Sequence, residues 1–112
     1  MMNIDISVII PVYAVEDYIE ECLRSVMSQS IKNIEIIVIN DHSPDKSQKI
    51  INRLKKEDER IRVIILKTNI GLGFVRNIGI DAARGRYVWF LDSDDFMENG
   101  NTGDTVYIDS LY

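Results

Sequence analysis

The stretch ISVIIPVY, residues 6–13, opens with a nearly unbroken β-branched apolar run over residues 6–10 that Pro11 brings to an end. Apolar residues without alternation read as a strand buried on both faces, the pattern of a parallel sheet. Outward from it, residues 15–28 place Val15, Ile19, Cys22, Leu23 and Val26 at helical spacing. Glu16, Asp17, Glu20 and Glu21 come early in that run, where the positive end of a helix favours acids. Residues 34–39 repeat the buried-strand pattern, interrupted only by Glu35, and lead into the polar run 40–45. There Ser43 is placed to cap a second helix with Pro44 at its first position, and Ile50, Ile51 and Leu54 form its apolar face. A third apolar run covers 61–66. A third helix over 71–83 uses Leu72, Val75, Ile78 and Ala82, and Arg84 and Gly85 suit its end, the glycine in a left-handed cap. Residues 87–91 form the fourth strand.

Uniformly apolar strands alternating with helices imply right-handed crossovers, so the fold class is α/β, a parallel sheet with helices on both faces. Residues 1–97 carry this pattern. Residues 98–112 are a tail of different character, rich in Asn, Gly, Thr and Asp and then alternating from Thr105, and no fourth helix is readable there. The pattern thus reads as truncated after the fourth strand.

The chain has 112 residues, enough for one domain with a real core. Hydrophobic residues make up 46% and charged residues 28%, ordinary globular usage that excludes a disordered chain or a disulfide scaffold. Thirteen basic against 18 acidic side chains give a net charge of -5, with no basic block, which argues against nucleic-acid binding. Cys22 is the only cysteine, so no internal disulfide forms, and a reducing cytoplasm fits better than secretion. At its helical position it reads as a small buried apolar residue. No apolar stretch approaches a membrane span, so contact with a membrane face would run through a partner.

In such sheets ligands gather beyond the carboxyl ends of the strands. Pro11, Val12 and Tyr13 follow the first strand, Asn40 and Asp41 the second, and Asp92, Ser93, Asp94 and Asp95 the fourth. Three carboxylates within four residues repel one another unless a cation lies between them, and oxygen-only ligands suit Mg²⁺ or Mn²⁺. A solvated acidic loop is the plainer use, but the buried Trp89-Phe90-Leu91 run aims these acids at a fixed place. Asp41 suits either a turn or a base-facing hydrogen bond, and Tyr13 either packing or stacking. His42 has no metal-spaced partner and reads as a loop residue. Gly71-Leu72-Gly73 is a weak glycine pattern, better suited to starting a helix, and Arg76 in its first turns could reach a diphosphate.

Taken together, ISVIIPVY (6–13), INDHSPD (39–45), NIGLGFVRNIGIDAARGRY (69–87) and WFLDSDD (89–95) resemble, in order and spacing, the N-terminal half of family 2 glycosyltransferases with the Rossmann-like GT-A fold. The match covers residues 4–97. The resemblance implies that Pro11 and Tyr13 line a nucleobase pocket, that Asp41 hydrogen-bonds the base, and that Arg76 contacts a phosphate or the base. It implies that Asp94 coordinates a divalent metal, Mn or Mg, with Asp92 at the ribose or the metal's water shell and Asp95 in support. Ala14 stands where the family often has asparagine, and Asn40 where an aspartate often precedes the base-binding acid. The family takes its general base and acceptor site from a second half of the domain, which the tail does not resemble, so no catalytic residue is named.

The implied activity is transfer of a sugar, with inversion, from a nucleotide diphosphate sugar to the hydroxyl of a glycan or lipid-linked acceptor in polysaccharide synthesis. The alternative is a truncated, non-catalytic nucleotide-binding fragment of such an enzyme. A phosphoacceptor signalling domain of similar layout would need an acidic pair after the first strand, where Pro11, Val12 and Tyr13 stand instead.

Overall fold

All seven residues of β1 (Ile6–Val12) and all seven of β2 (Ile34–Asn40) are buried, as strands covered on both faces must be. The computed structural model describes residues 3–30 and 33–94 with their side chains, and residues 104–107 by their backbone. After the first two strands come α2 (Ser47–Glu57), β3 (Ile61–Ile65), α3 (Leu72–Ala82), β4 (Tyr87–Phe90) and β5 (Asp104–Tyr107), while α1 (Ile19–Met27) lies between β1 and β2. The sheet order is β3-β2-β1-β4-β5. The first four strands are mutually parallel and β5 runs antiparallel to β4. The α/β sheet is therefore as expected, with one strand more: part of the tail adds an antiparallel edge.

Side-chain alternation divides the core. Val8, Ile10 and Val12 point to the face covered by α1 and α2, where they pack with Ile19, Leu23, Val26, Ile51 and Leu54. Ile9, Ile37 and Ile39 point to the other face, where α3 brings Val75. Gly79 of α3 is the closest approach: a Cβ there would sit 2.5 Å from Ile9 Cγ2, so the glycine lets the helix lie down on β1.

Three local expectations are corrected. The first helix begins at Ile19 rather than at 15, because the Tyr18 and Ile19 N–H groups both donate to the Val15 carbonyl and close a turn ahead of it. The second begins at Ser47. Ser43 and Pro44 precede it, Lys46 stands at the cap position without a side-chain cap, and the Ser47 N–H is taken by Asp45 Oδ1 at 3.0 Å. Gly85 is not in a left-handed conformation; among the described residues the glycine with positive φ is Gly71. Gly85 instead passes so close to β1 that a Cβ would meet the Ser7 nitrogen at 2.8 Å and the Ile6 carbonyl carbon at 2.9 Å.

β1 also runs through the predicted stop at Pro11 and ends at Val12. The Leu91 N–H donates to the Ile9 carbonyl, and β1–β4 pairing ends at Ile9 with Phe90. Two residues on, Pro11 turns its nitrogen to that same side, where no further ladder N–H is needed. Glu35, the odd acid in β2, is buried at 3% exposure but fully engaged. It accepts from the Ser7 hydroxyl at 2.6 Å, from Arg62 at 2.6 Å and from the Arg84 N–H at 2.6 Å. A carboxylate removed from water is tolerable only with such partners.

Candidate functional site

The strand order reverses at β1: β2 and β3 lie on one side of it and β4 on the other. Loops leaving β1 and β4 therefore diverge at their carboxyl ends and leave a crevice between them. Its volume is about 270 Å³. β1 and its loop supply Pro11, Val12, Tyr13 and Val15, β2 supplies Asp41, α3 supplies Leu72 and Val75, and the segment after β4 supplies Asp92, Ser93 and Asp94. Thus Pro11, Tyr13, Asp41, Asp92 and Asp94, spread over the sequence, share one hollow. Val15, Leu72 and Val75 were not singled out for a site from sequence. Leu72 and Val75 were visible only as the apolar stripe of a helix, and nothing in that stripe says that its first turn overhangs the crevice.

The polar groups differ in their freedom. Tyr13 is half exposed, so its ring is open to a planar partner. Asp41 is 4% exposed, and both its oxygens are occupied. Oδ1 accepts from the Ile70 N–H at 2.8 Å, and Oδ2 from the Gly71 N–H at 2.9 Å and Asn69 Nδ2 at 3.1 Å. Asp41 is thus the acceptor that holds the loop into α3. Gly71, at φ 93°, makes the turn that aims its N–H there, a conformation that L side chains resist.

Arg76, expected with these residues, does not line the crevice. Its guanidinium sits over the Phe90 ring at 5.4 Å, and NH2 is 3.7 Å from Asp92 Oδ1. Its Nε is buried and has no hydrogen-bond partner among the described residues. Asp92 and Asp94 are both exposed, and Asp94 carries no ion pair or hydrogen bond among the described residues. Asp95 lies outside the described residues, and no group of three or more metal-binding side chains occurs within them. Two open carboxylates, one of them unengaged, fit a hard cation of the Mg²⁺ type, which takes one or two protein carboxylates and completes its shell with water and phosphate oxygens. The same pair would not make a closed structural site.

A broader hollow along α1 is lined by Asp17, Glu20, Glu21 and Arg24, but Glu20 and Arg24 already pair at 2.9 Å and Glu20 also pairs with Arg53 of α2. It is an ion-paired helix surface. No described helix is long and apolar enough to cross a membrane.

Comparison with known proteins points the same way. Residues 7–106 match the family model for glycosyl transferase family 2. The uncharacterized glycosyltransferase EpsJ of Bacillus subtilis is 48% identical over 94 residues, covering 84% of this chain and 27% of EpsJ. The glycosyltransferase GlyA of Streptococcus pneumoniae is 44% identical over 107 residues, 96% of this chain and 14% of GlyA. Among solved structures, S. aureus TarS 1-349 in complex with UDP-GlcNAc superposes with a TM-score of 0.80 at 35% identity, covering 85% of this chain and 28% of that one. The chain spans well under half the length of each.

Proposed function

This chain belongs to glycosyl transferase family 2, and we propose that its crevice is the donor side of a sugar-transfer site, taking a nucleotide diphosphate sugar together with Mn²⁺ or Mg²⁺. The observation that carries the proposal is the convergence of Tyr13, Asp41, Asp92 and Asp94 on one hollow from three strand ends. A uridine nucleotide is the natural first probe, because the TarS structure holds UDP-GlcNAc.

In this reading the Tyr13 ring stacks on the base, and Pro11 and Val12 form the floor beneath it. Asp41 keeps the 69–71 loop in place and offers the base the remaining lone pair of Oδ1. Asp94 would hold the cation, with Asp92 at its water shell or the ribose. The cation, when bound, supplies charge to the departing diphosphate. Arg76, fixed on Phe90 and directed at Asp92, adds positive charge on the same side. The transfer itself is direct displacement with inversion at the anomeric carbon. The acceptor hydroxyl would be deprotonated by a carboxylate outside the described residues, and the acceptor would be a glycan or lipid-linked sugar of a cell-surface polysaccharide. We place the work in the cytoplasm, in keeping with a single cysteine, Cys22, that is buried in the core.

The test is titration calorimetry with UDP, with and without Mn²⁺. The wild-type chain should bind in a metal-dependent way, and Asp94→Ala should abolish the metal dependence. No metal-dependent binding by the wild type would sink the proposal.

A further inference from the structure

The loop that carries Tyr13 contains a strained residue. Ala14 has φ 56°, in a region that non-glycine residues seldom occupy, and His42 in the neighbouring loop has φ 59°. Such conformations persist only where the surroundings impose them. Here the surroundings are two side chains from the segment between β2 and α2. The Ala14 N–H donates to Ser43 Oγ at 2.8 Å, and the Glu16 N–H donates to Asp45 Oδ2 at 3.0 Å. The two acceptors are themselves joined, the Ser43 hydroxyl donating to Asp45 Oδ1 at 2.6 Å. Both are anchored: the Ser43 N–H is held by Asn40 Oδ1 at 2.8 Å, and Asp45 Oδ1 also takes the Ser47 N–H at the start of α2.

The alternation along the loop gives this arrangement its meaning. Tyr13 and Val15 line the crevice, whereas the main-chain N–H groups of Ala14 and Glu16 turn away from it toward Ser43 and Asp45. Neither Ser43 nor Asp45 lines the crevice.

We propose that Ser43 and Asp45 are positioning residues, a latch that holds the loop after β1 in its left-handed turn and so sets Tyr13 for a planar ligand. The clause about the ligand rests on the donor-site reading above. The latch is permanently charged under ordinary conditions. Partial burial works against ionisation of Asp45, but hydrogen bonds from Ser43, Ser47 and Glu16 more than offset it, leaving the carboxyl at about 2.

The test joins amide hydrogen exchange, read by NMR, to calorimetric titration with UDP and Mn²⁺, on Asp45→Ala, Ser43→Ala and the double variant Ala14→Asn with Ser43→Ala. Asp45→Ala should speed exchange at Ala14 and Glu16 while the β1 and β2 amides keep their protection, and should weaken UDP binding roughly tenfold, the usual scale for removing a supporting partner. Asparagine enters the left-handed region far more readily than alanine. The double variant should therefore recover most of the affinity lost in Ser43→Ala, a rescue that a direct contact between Ser43 and the ligand would not show. Unchanged exchange at Ala14 and Glu16 in Asp45→Ala, or no recovery in the double variant, overturns the latch. If Asp45→Ala does not fold, Ser43→Ala carries the exchange measurement, since it leaves Asp45 with Glu16 and Ser47. If the wild-type chain binds no UDP, the donor-site reading falls, and exchange at Ala14 and Glu16 alone decides whether the latch exists.

Discussion

The carboxylate of Asp41 lies 2.9 Å from the main-chain nitrogen of Gly71, 30 residues further along the chain, and the same carboxylate takes the N–H of Ile70. One buried side chain at the end of β2 thereby fixes the start of α3. Asp41→Ala leaves these main-chain donors without their acceptor and should cost about 2–3 kcal/mol of stability. Urea unfolding of the two proteins checks this; a loss below about 0.5 kcal/mol would mean that the loop is held by something else.

Two glycines separate packing from propensity. Gly85→Ala drives a methyl into the backbone of Ile6 and Ser7, which cannot yield as a side chain would, and should destabilise by about 1–3 kcal/mol or more. Gly73, in the first turn of α3, has nothing within 4 Å of its added Cβ. Gly73→Ala should therefore stabilise by about 0.5–1 kcal/mol, through the smaller entropy lost on forming the helix. Thermal unfolding of both variants should show midpoints moving in opposite directions.

Acid should reveal Asp45. Its folded carboxyl is held at about 2, below the ordinary 3.8, so its contribution is fully present above pH 4 and disappears as the pH falls toward 2. Asp45→Asn lacks that contribution at every pH. The stability gap between wild type and variant should shrink between pH 4 and pH 2, followed by denaturant midpoints; a gap of constant size would show that the carboxylate is not the stabilising species.

Tyr13 should matter for affinity and little for folding, because it is half exposed. Tyr13→Ala should weaken UDP binding by about 1–3 kcal/mol, the range for a base stacked on an aromatic ring, while Tyr13→Phe keeps nearly all of it. Calorimetry on the pair distinguishes stacking from a hydrogen bond through the phenol: a large loss in Tyr13→Phe would favour the second.

What could be read from the sequence follows a physical boundary. The four parallel strands and three helices were legible because their apolar positions are periodic and local, and the strand-end rule then grouped Tyr13, Asp41 and Asp94 correctly on one rim. Their assigned roles are chemical proposals that the geometry accommodates. Contacts between residues distant in sequence were not legible. Asp41 gives no local sign that it closes on residues 69–71, nor Glu35 that Ser7, Arg62 and Arg84 await it. Gly85 suggested a left-handed cap because glycine serves both conformational freedom and close approach, and only the position of β1 tells which is in use. The segment of the tail that forms β5 is short and takes its order from β4, so its pairing could not be read from its own residues.

The place of β1 in the middle of the sheet has a consequence in time. Ile6 pairs with Ile34 on one side and with Tyr87 on the other, so one flank closes over a short stretch of chain and the second only across most of it. A polypeptide emerging from the ribosome presents β1 through β3 before Tyr87 exists, and long-range pairing is the slow part of folding. The limb bearing Asp92 and Asp94 docks after β2 and β3 can pair, so the crevice that it lines is incomplete until β4 has joined β1. Pulse-labelled exchange during refolding should find the β4 amides gaining protection after those of β2.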